Sequence, residues 1–247
     1  MSTYLLLDIG NSNIKTGIST PDKIKIIKNS GYSLIDVIEY VKSIIKKHHS
    51  PFEYIGVSTN NKSFQKNLER YFKDNGLRNL FVRDTIKLPI KIKYNNPLGA
   101  DRISGAAGAS YSYLDHKNIL YIDFGTATTI NLISDKCFLG GMIAPGILTS
   151  LKALNDNTNL PEIEYSYQSS LINRDTKSNI QAGIYYQTLY FIERTITEIR
   201  KKYKSLYVIA TGGLGETIQR KTKLIDVYDR YLVLKGIHTI LKYNDIV

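Results

Sequence analysis

Cysteine is nearly absent. The single Cys137 in 247 residues excludes a disulfide within the chain and, lying among apolar neighbours, reads as a small buried hydrophobe. No run approaches the roughly 20 apolar residues that span a bilayer. The N-terminus enters an apolar strand pattern at once, without the basic, apolar and small-residue segments of a signal peptide. These absences predict a cytoplasmic protein with no membrane partner. His48, His49, His116 and His238 lack ligand spacing, which excludes a Cys/His metal cluster, and all four read as surface or loop positions. There is no Gly-x-Ser-x-Gly elbow and no Gly-x-x-x-x-Gly-Lys-Ser/Thr loop, so neither a serine hydrolase of that type nor a P-loop nucleotide site is supported. Acidic residues are outnumbered 22 to 33, for a net charge of +11. The lysines are spread over predicted surface segments, without one stripe of interleaved aromatics, so this charge reads as a solvated basic surface and not as a nucleic-acid site.

What the chain has is a repeat. An apolar run ending in Asp-x-Gly and small polar residues occurs first as Tyr4-Leu-Leu-Leu-Asp8-Ile9-Gly10-Asn11-Ser12-Asn13, then as Ile119-Leu-Tyr-Ile-Asp123-Phe-Gly125-Thr126-Ala-Thr128. Each run reads as a buried strand, each Asp ends it, and each Gly opens a tight turn whose N–H groups and hydroxyls can face a phosphate. Asp8 and Asp123 stand 115 positions apart, about one small domain. Two paired halves closing over one ligand are therefore expected, with boundaries at 1–117 and 118–247. A hydrophobic content of 43% is ample for two modest cores.

The periodicity predicts strands near 4–8, 15–19, 23–27 and 54–58, helices near 34–47 and 62–75, a short strand near 80–82 and an extended stretch at 90–94. A helix of small and apolar residues begins at Gly99. The second half follows the same plan: strands near 119–123, 128–133 and 138–143, a helix to about 155, a polar stretch at 156–175, a long helix at 176–202, a strand at 206–210 and a last helix at 231–242. Strands alternating with helices predict an α/β fold with sheets covered on their faces.

Within the first copy, Gly10 permits close backbone approach, Asn11, Ser12 and Asn13 offer donors, Lys15 supplies a positive charge, and Asp8 can hold magnesium directly or through water. A hairpin turn with a capping Asp accounts for one copy but not for two. Asp123 and Thr126 suit a cation or phosphate contact. Thr211-Gly212-Gly213 is either a nucleotide-facing backbone or a plain strand-to-helix turn. At Gly99-Ala100-Asp101-Arg102, an acid and a base adjoin a helix start. The carboxylate can accept a hydroxyl proton while the guanidinium and helix N–H groups hold an anion, or the Asp is a cap beside an exposed Arg.

These motifs, with Gly140-Gly-Met-Ile-Ala-Pro-Gly146, occur in the order and approximate spacing of the type III pantothenate kinases, which the chain resembles over about residues 4–240. The resemblance implies two ribonuclease-H-like lobes with mixed sheets flanked by helices, the ATP clamp of sugar kinases, chaperone ATPases and actin. It implies ATP contacts from Asp8, Ile9, Gly10, Asn11, Ser12, Asn13, Ile14, Lys15 and Thr126, and a monovalent cation, potassium or ammonium, at Asp123 beside Mg2+. Pantothenate contacts follow from Tyr94, Gly99, Ala100, Asp101, Arg102 and, in a looser motif, Thr176, with Asp101 as general base. The implied reaction is phosphorylation of pantothenate to 4′-phosphopantothenate, the first step toward coenzyme A. The same fold also allows a non-catalytic regulator, or a related phosphotransferase or phosphatase. The long helix, with Ile184, Phe191, Ile196 and Ile199 on one side and Tyr185, Tyr186 and Tyr190 on others, predicts a homodimer interface.

Overall fold

In the computed structural model, which describes residues 2–246 except 12, 32–36, 49, 50 and 245, the first apolar run forms β1 (Tyr4–Ile9), buried at every position. It is central because both of its faces are covered. A hairpin joins it to β2 (Asn13–Ser19), with Asp8 opposite Lys15 and Ile9 opposite Ile14, and β2 pairs on with β3 (Ile24–Gly31). After α1 (Val37–Lys47), β4 (Tyr54–Thr59) returns parallel to β1 and places Ser58 beside Asp8. Helix α2 (Lys62–Asp74) then leads to β5 (Asn79–Phe81), parallel to β4. The predicted helix start at 34–36 lies outside the described residues.

Short strand β6 (Lys91–Ile92) precedes α3 (Ala100–Ser112). The second copy builds β7 (Asn118–Phe124), β8 (Ala127–Ser134) and β9 (Cys137–Pro145). It continues with α4 (Ile147–Asn157), α5 (Thr176–Lys202), β10 (Leu206–Gly212), α6 (Gly215–Gln219), β11 (Val227–Tyr228) and α7 (Leu232–Tyr243). The first sheet runs β3-β2-β1-β4-β5, and the second contains β9-β8-β7-β10-β11, with β6 added beyond β9. The two orders are the same. The fold is mixed α/β, two sheets flanked by helices, and the repeated motif occupies the same place in each sheet.

The chain divides into two compact units. The first comprises Met1–Asp115, Ile133–Leu139 and Tyr231–Val247, the second His116–Leu132 and Gly140–Arg230. In the first, Leu5, Leu7, Ile9 and Ile14 pack with Val41, Phe64, Leu68 and Phe72 of α1 and α2, and each such burial is worth roughly 1.5–3 kcal/mol. α7 packs beside α3 and over β1 and β4. The expected boundaries gave residues 231–247 to the second half. Instead α7 joins the first unit, because its backbone fits against α3 at Gly236, where a Cβ would stand 1.7 Å from the Ser104 carbonyl oxygen. In the second unit Leu120, Ile122 and Phe124 of β7 pack with Ile147 and Leu151 of α4 and Ile184, Leu189, Ile192 and Ile196 of α5.

Two surface readings change. Ile184 and Ile196 of α5 belong to their own unit's core, and Phe191, Ile199 and Tyr186 pack half-buried against it. Tyr190 is the exposed member, and the large exposed apolar residues of this unit also include Met142, Ile143, Leu148, Leu171 and Ile172. His238 is neither loop nor open surface: it lies half-buried in α7, where burial holds its imidazole below the usual value. Cys137 is buried, as its apolar neighbours implied. Among the described residues no helix is long and apolar enough to cross a membrane.

Candidate active site

In the first unit the site starts at the end of β1. Gly10 N–H donates to the Asn13 carbonyl at 3.0 Å and closes the hairpin, leaving Gly10, Asn11 and Asn13 exposed at its tip. Ser12 lies outside the described residues. Ile9 and Ile14 are buried in the core, so only their backbone is available to a ligand. Asp8 is buried and its Oδ2 lies 3.6 Å from Lys15 Nζ. Burial lifts this carboxyl above the ordinary 3.8, Lys15 pulls it back, and the charge of Asp101 raises it further.

Asp101 stands in the first turn of α3, where a carboxylate is favoured by the helix dipole. The N-cap is Gly99, which has no side chain to offer, and the Ala100 N–H is taken instead by Asn60 Oδ1 at 2.7 Å. Asn60 Nδ2 donates to Asp101 Oδ1 at 2.8 Å, and the Arg102 N–H donates to the same oxygen at 2.7 Å. Arg102 is buried, with its guanidinium 5.3 Å from the Tyr94 ring and 5.1 Å from the Phe138 ring, and Nη1 lies 3.5 Å from the Tyr94 hydroxyl. The alternative of a capping Asp beside an exposed Arg is therefore not what forms. Two aromatic faces hold the cation where an isolated buried charge would be costly. Tyr94, Gly99, Ala100, Asp101 and Arg102 come together; Asn60 belongs with them and was missed by the motif reading.

In the second unit Asp123 occupies on β7 the place Asp8 has on β1. Its register partner on β10 is Thr211, as Ser58 on β4 is for Asp8. The hydroxyls of Ser58, Thr211 and Thr128 are buried with no hydrogen-bond partner among the described residues. Gly212 has φ +87°, and a Cβ there would lie 2.4 Å from Asp123 Oδ1. Backbone thus lies directly against this carboxylate, an approach open only to glycine. Thr126 is exposed on the β7–β8 turn, and its carbonyl accepts from Gly146 N–H at 3.0 Å and Thr149 Oγ1 at 2.6 Å, tying the start of α4 to the turn. Thr176, first in α5, is exposed, and Asp175 before it caps the helix through Ser178 N–H at 2.9 Å. Among the described residues no group of three or more His, Cys, Asp or Glu side chains is placed to hold a metal ion.

The fold class these features define is shared with solved structures. The ROK hexokinase of Thermus thermophilus matches with a TM-score of 0.52 at 12% identity, over 99% of this chain and 100% of that one. A Baf family protein of Campylobacter jejuni matches with a TM-score of 0.63 at 21% identity, over 98% and 100%. The family is decided by sequence. The family model for type III pantothenate kinase matches residues 4–198. The type III pantothenate kinase of Agathobacter rectalis is 35% identical over 256 residues, covering 96% of each chain, and that of Listeria monocytogenes is 31% identical over 262 residues, covering 97% of each. The chain belongs to the type III pantothenate kinase family.

Proposed function

We propose that this protein transfers the γ-phosphoryl group of ATP to the primary hydroxyl of pantothenate, releasing ADP and 4′-phosphopantothenate, the first step of coenzyme A biosynthesis. Family membership supports the kinase and its substrates. The observation that carries the chemistry is Asp101, held at a helix start with one oxygen bonded and Arg102 next to it. Asp101 accepts the hydroxyl proton as the alcohol oxygen attacks phosphorus. Arg102 and Tyr94 hold the pantothenate carboxylate, and Thr176 adds a further substrate contact. The hairpin groups of residues 8–15, including Lys15, contact ATP phosphates, as does Thr126. In such transfers catalysis is mainly positioning and charge stabilisation.

Asp8 suits magnesium through water, since its carboxylate already faces Lys15. We assign a large monovalent ion to Asp123, whose buried Oδ1 lies against the backbone of Gly212. When bound, both cations neutralise phosphate charge. We place the reaction in the cytoplasm, with no nucleic-acid or membrane partner, on the compositional reading above. We infer a homodimer formed through the second unit on its exposed Met142, Ile143, Leu148, Leu171, Ile172 and Tyr190. The two units are read as the ribonuclease-H-like lobes of the family.

The test is ADP release measured with and without pantothenate. Release that depends on pantothenate is expected, and equal release without it would overturn the assignment. Repeating the assay in buffer free of potassium and ammonium should abolish most turnover, while undiminished turnover there would remove the cation role from Asp123.

A further inference from the structure

The geometry points to Asn60 as the residue that positions Asp101, fixing which carboxylate oxygen receives the substrate proton. This rests on Asp101 being the base. Two asparagines follow β4 in succession, and they do different work. Asn61 caps α2, its Oδ1 accepting from Ser63 N–H at 3.0 Å and Phe64 N–H at 3.1 Å. Asn60 is not needed there. Because β4 runs parallel to β1 with Ser58 beside Asp8, the chain leaves the sheet at Asn60 next to the β1 acid and reaches across 41 positions to α3.

Both ends of its amide are used. The carbonyl oxygen accepts the Ala100 N–H at 2.7 Å, and the NH2 group donates to Asp101 Oδ1 at 2.8 Å. Neither bond survives exchange of the two ends, so the chemistry fixes the amide's orientation. The Arg102 N–H gives Oδ1 a second donor at 2.7 Å. An sp2 oxygen with two donors has its lone pairs occupied. Asp101 Oδ2 has no hydrogen bond among the described residues, so it is the oxygen left to take a proton. Close packing supports the same conclusion: a Cβ on Gly99 would lie 2.9 Å from Asp101 Oδ1 and 3.1 Å from both Asn60 Nδ2 and Oδ1. Any side chain at position 99 would push this pair apart.

A merely structural role would need only the amide oxygen, which caps α3. The NH2 group bonded to Asp101 is surplus to capping, and that difference makes the idea testable. Asn60→Asp keeps a capping oxygen, removes the donor and sets a second carboxylate against Asp101 Oδ1, whereas Asn60→Ala removes both amide ends without adding charge. The experiment measures kcat, KM for ATP and for pantothenate, and Tm for both variants, in the native chain and in an Asp101→Asn background. For Asn60→Asp we expect kcat to fall about 10- to 100-fold, the scale set by misplacing a reacting group, with KM for pantothenate within about threefold and Tm near that of the native chain. In the Asp101→Asn background neither substitution should lower kcat further. If Asn60→Asp retains native kcat, changes only KM, or costs the same factor in both backgrounds, Asn60 does not position Asp101. An Asp101→Asn chain active within a few-fold of native would instead overturn the base assignment itself, whatever Asn60 does. Should Asn60→Ala fail to fold, the Asn60→Asp comparison still decides.

Discussion

A carboxylate is useful at this site only if its charge and direction are controlled, and Asp8 and Asp101 meet that need differently. Asp101 is held by hydrogen bonds at the surface of a helix end. Asp101→Asn keeps the shape and one acceptor oxygen but removes the carboxylate proposed as the base. Turnover should therefore fall at least about 10²-fold with ATP binding largely retained, as measured by steady-state kinetics and nucleotide titration. Asp8 is buried, and burial raises its carboxyl above 3.8. A group raised in this way binds its proton more tightly folded than unfolded, so its contribution to stability is present below 3.8 and lost as pH rises through the folded value. Above that folded value the ionised Asp8 is a cost to the fold. Asp8→Asn should accordingly lose activity yet melt no lower than the native chain at pH 7. Any advantage in Tm should narrow as the pH is lowered toward about 4; an advantage that grows on acidification would contradict the burial argument.

At the scale of elements, the contact between α3 and α7 decides where the C-terminus goes. Helix α3 offers Ser104, Gly105, Ala106, Ala107, Gly108 and Ala109, all buried and all small, so a second helix can approach backbone to backbone. Such a surface is intolerant of added volume. A Cβ at Gly236 would meet the Ser104 carbonyl oxygen, and one at Gly108 would meet the Leu232 carbonyl oxygen at 2.2 Å. Gly236→Ala should cost roughly 1–3 kcal/mol of overpacking, lowering Tm by about 2 to 12 °C in thermal unfolding. Unchanged Tm would mean the helices separate freely. In the second unit, the polar stretch before α5 is pinned by the buried Gln181, which donates to the Glu164 carbonyl and accepts from Gln168, each at 2.8 Å. A segment of this length without regular structure keeps its place through such bonds.

For the whole molecule, the second unit carries more of the large exposed apolar residues than the first among the described residues. Ile172 is 86% exposed, Ile143 64% and Leu148 57%, an arrangement that favours covering by a second copy. Gel filtration with light scattering should give a mass near twice 28.0 kDa. Changing Ile143 and Leu148 together to Lys should shift it toward the single-chain mass while the chain stays folded. A stable, active species at 28 kDa in the native protein would exclude the dimer.

How much of this was legible in the residues follows from how locally each feature is encoded. The continuous apolar runs before Asp8 and Asp123, the glycines after them and the small-residue helix after Gly99 are statements about neighbours in the chain, and the strands, turns and helix they predict form where expected. The repeat also implied the duplicated plan, now visible as two identical strand orders. Helix α6 went unforeseen because five residues hold too little periodicity. Arg102 lies between Tyr94 and Phe138, His238 is half-buried, and Asn60 binds Asp101; none of these is encoded within a window of a few residues. The residues by themselves determined which elements form, where the acids end their strands and which family the chain resembles, since each depends on spacing along the backbone. Only the tertiary structure decided that the last helix completes the first unit and that Asn60 meets Asp101. Those contacts join residues far apart in sequence, and they exist only once β4 lies against β1 and α7 against α3.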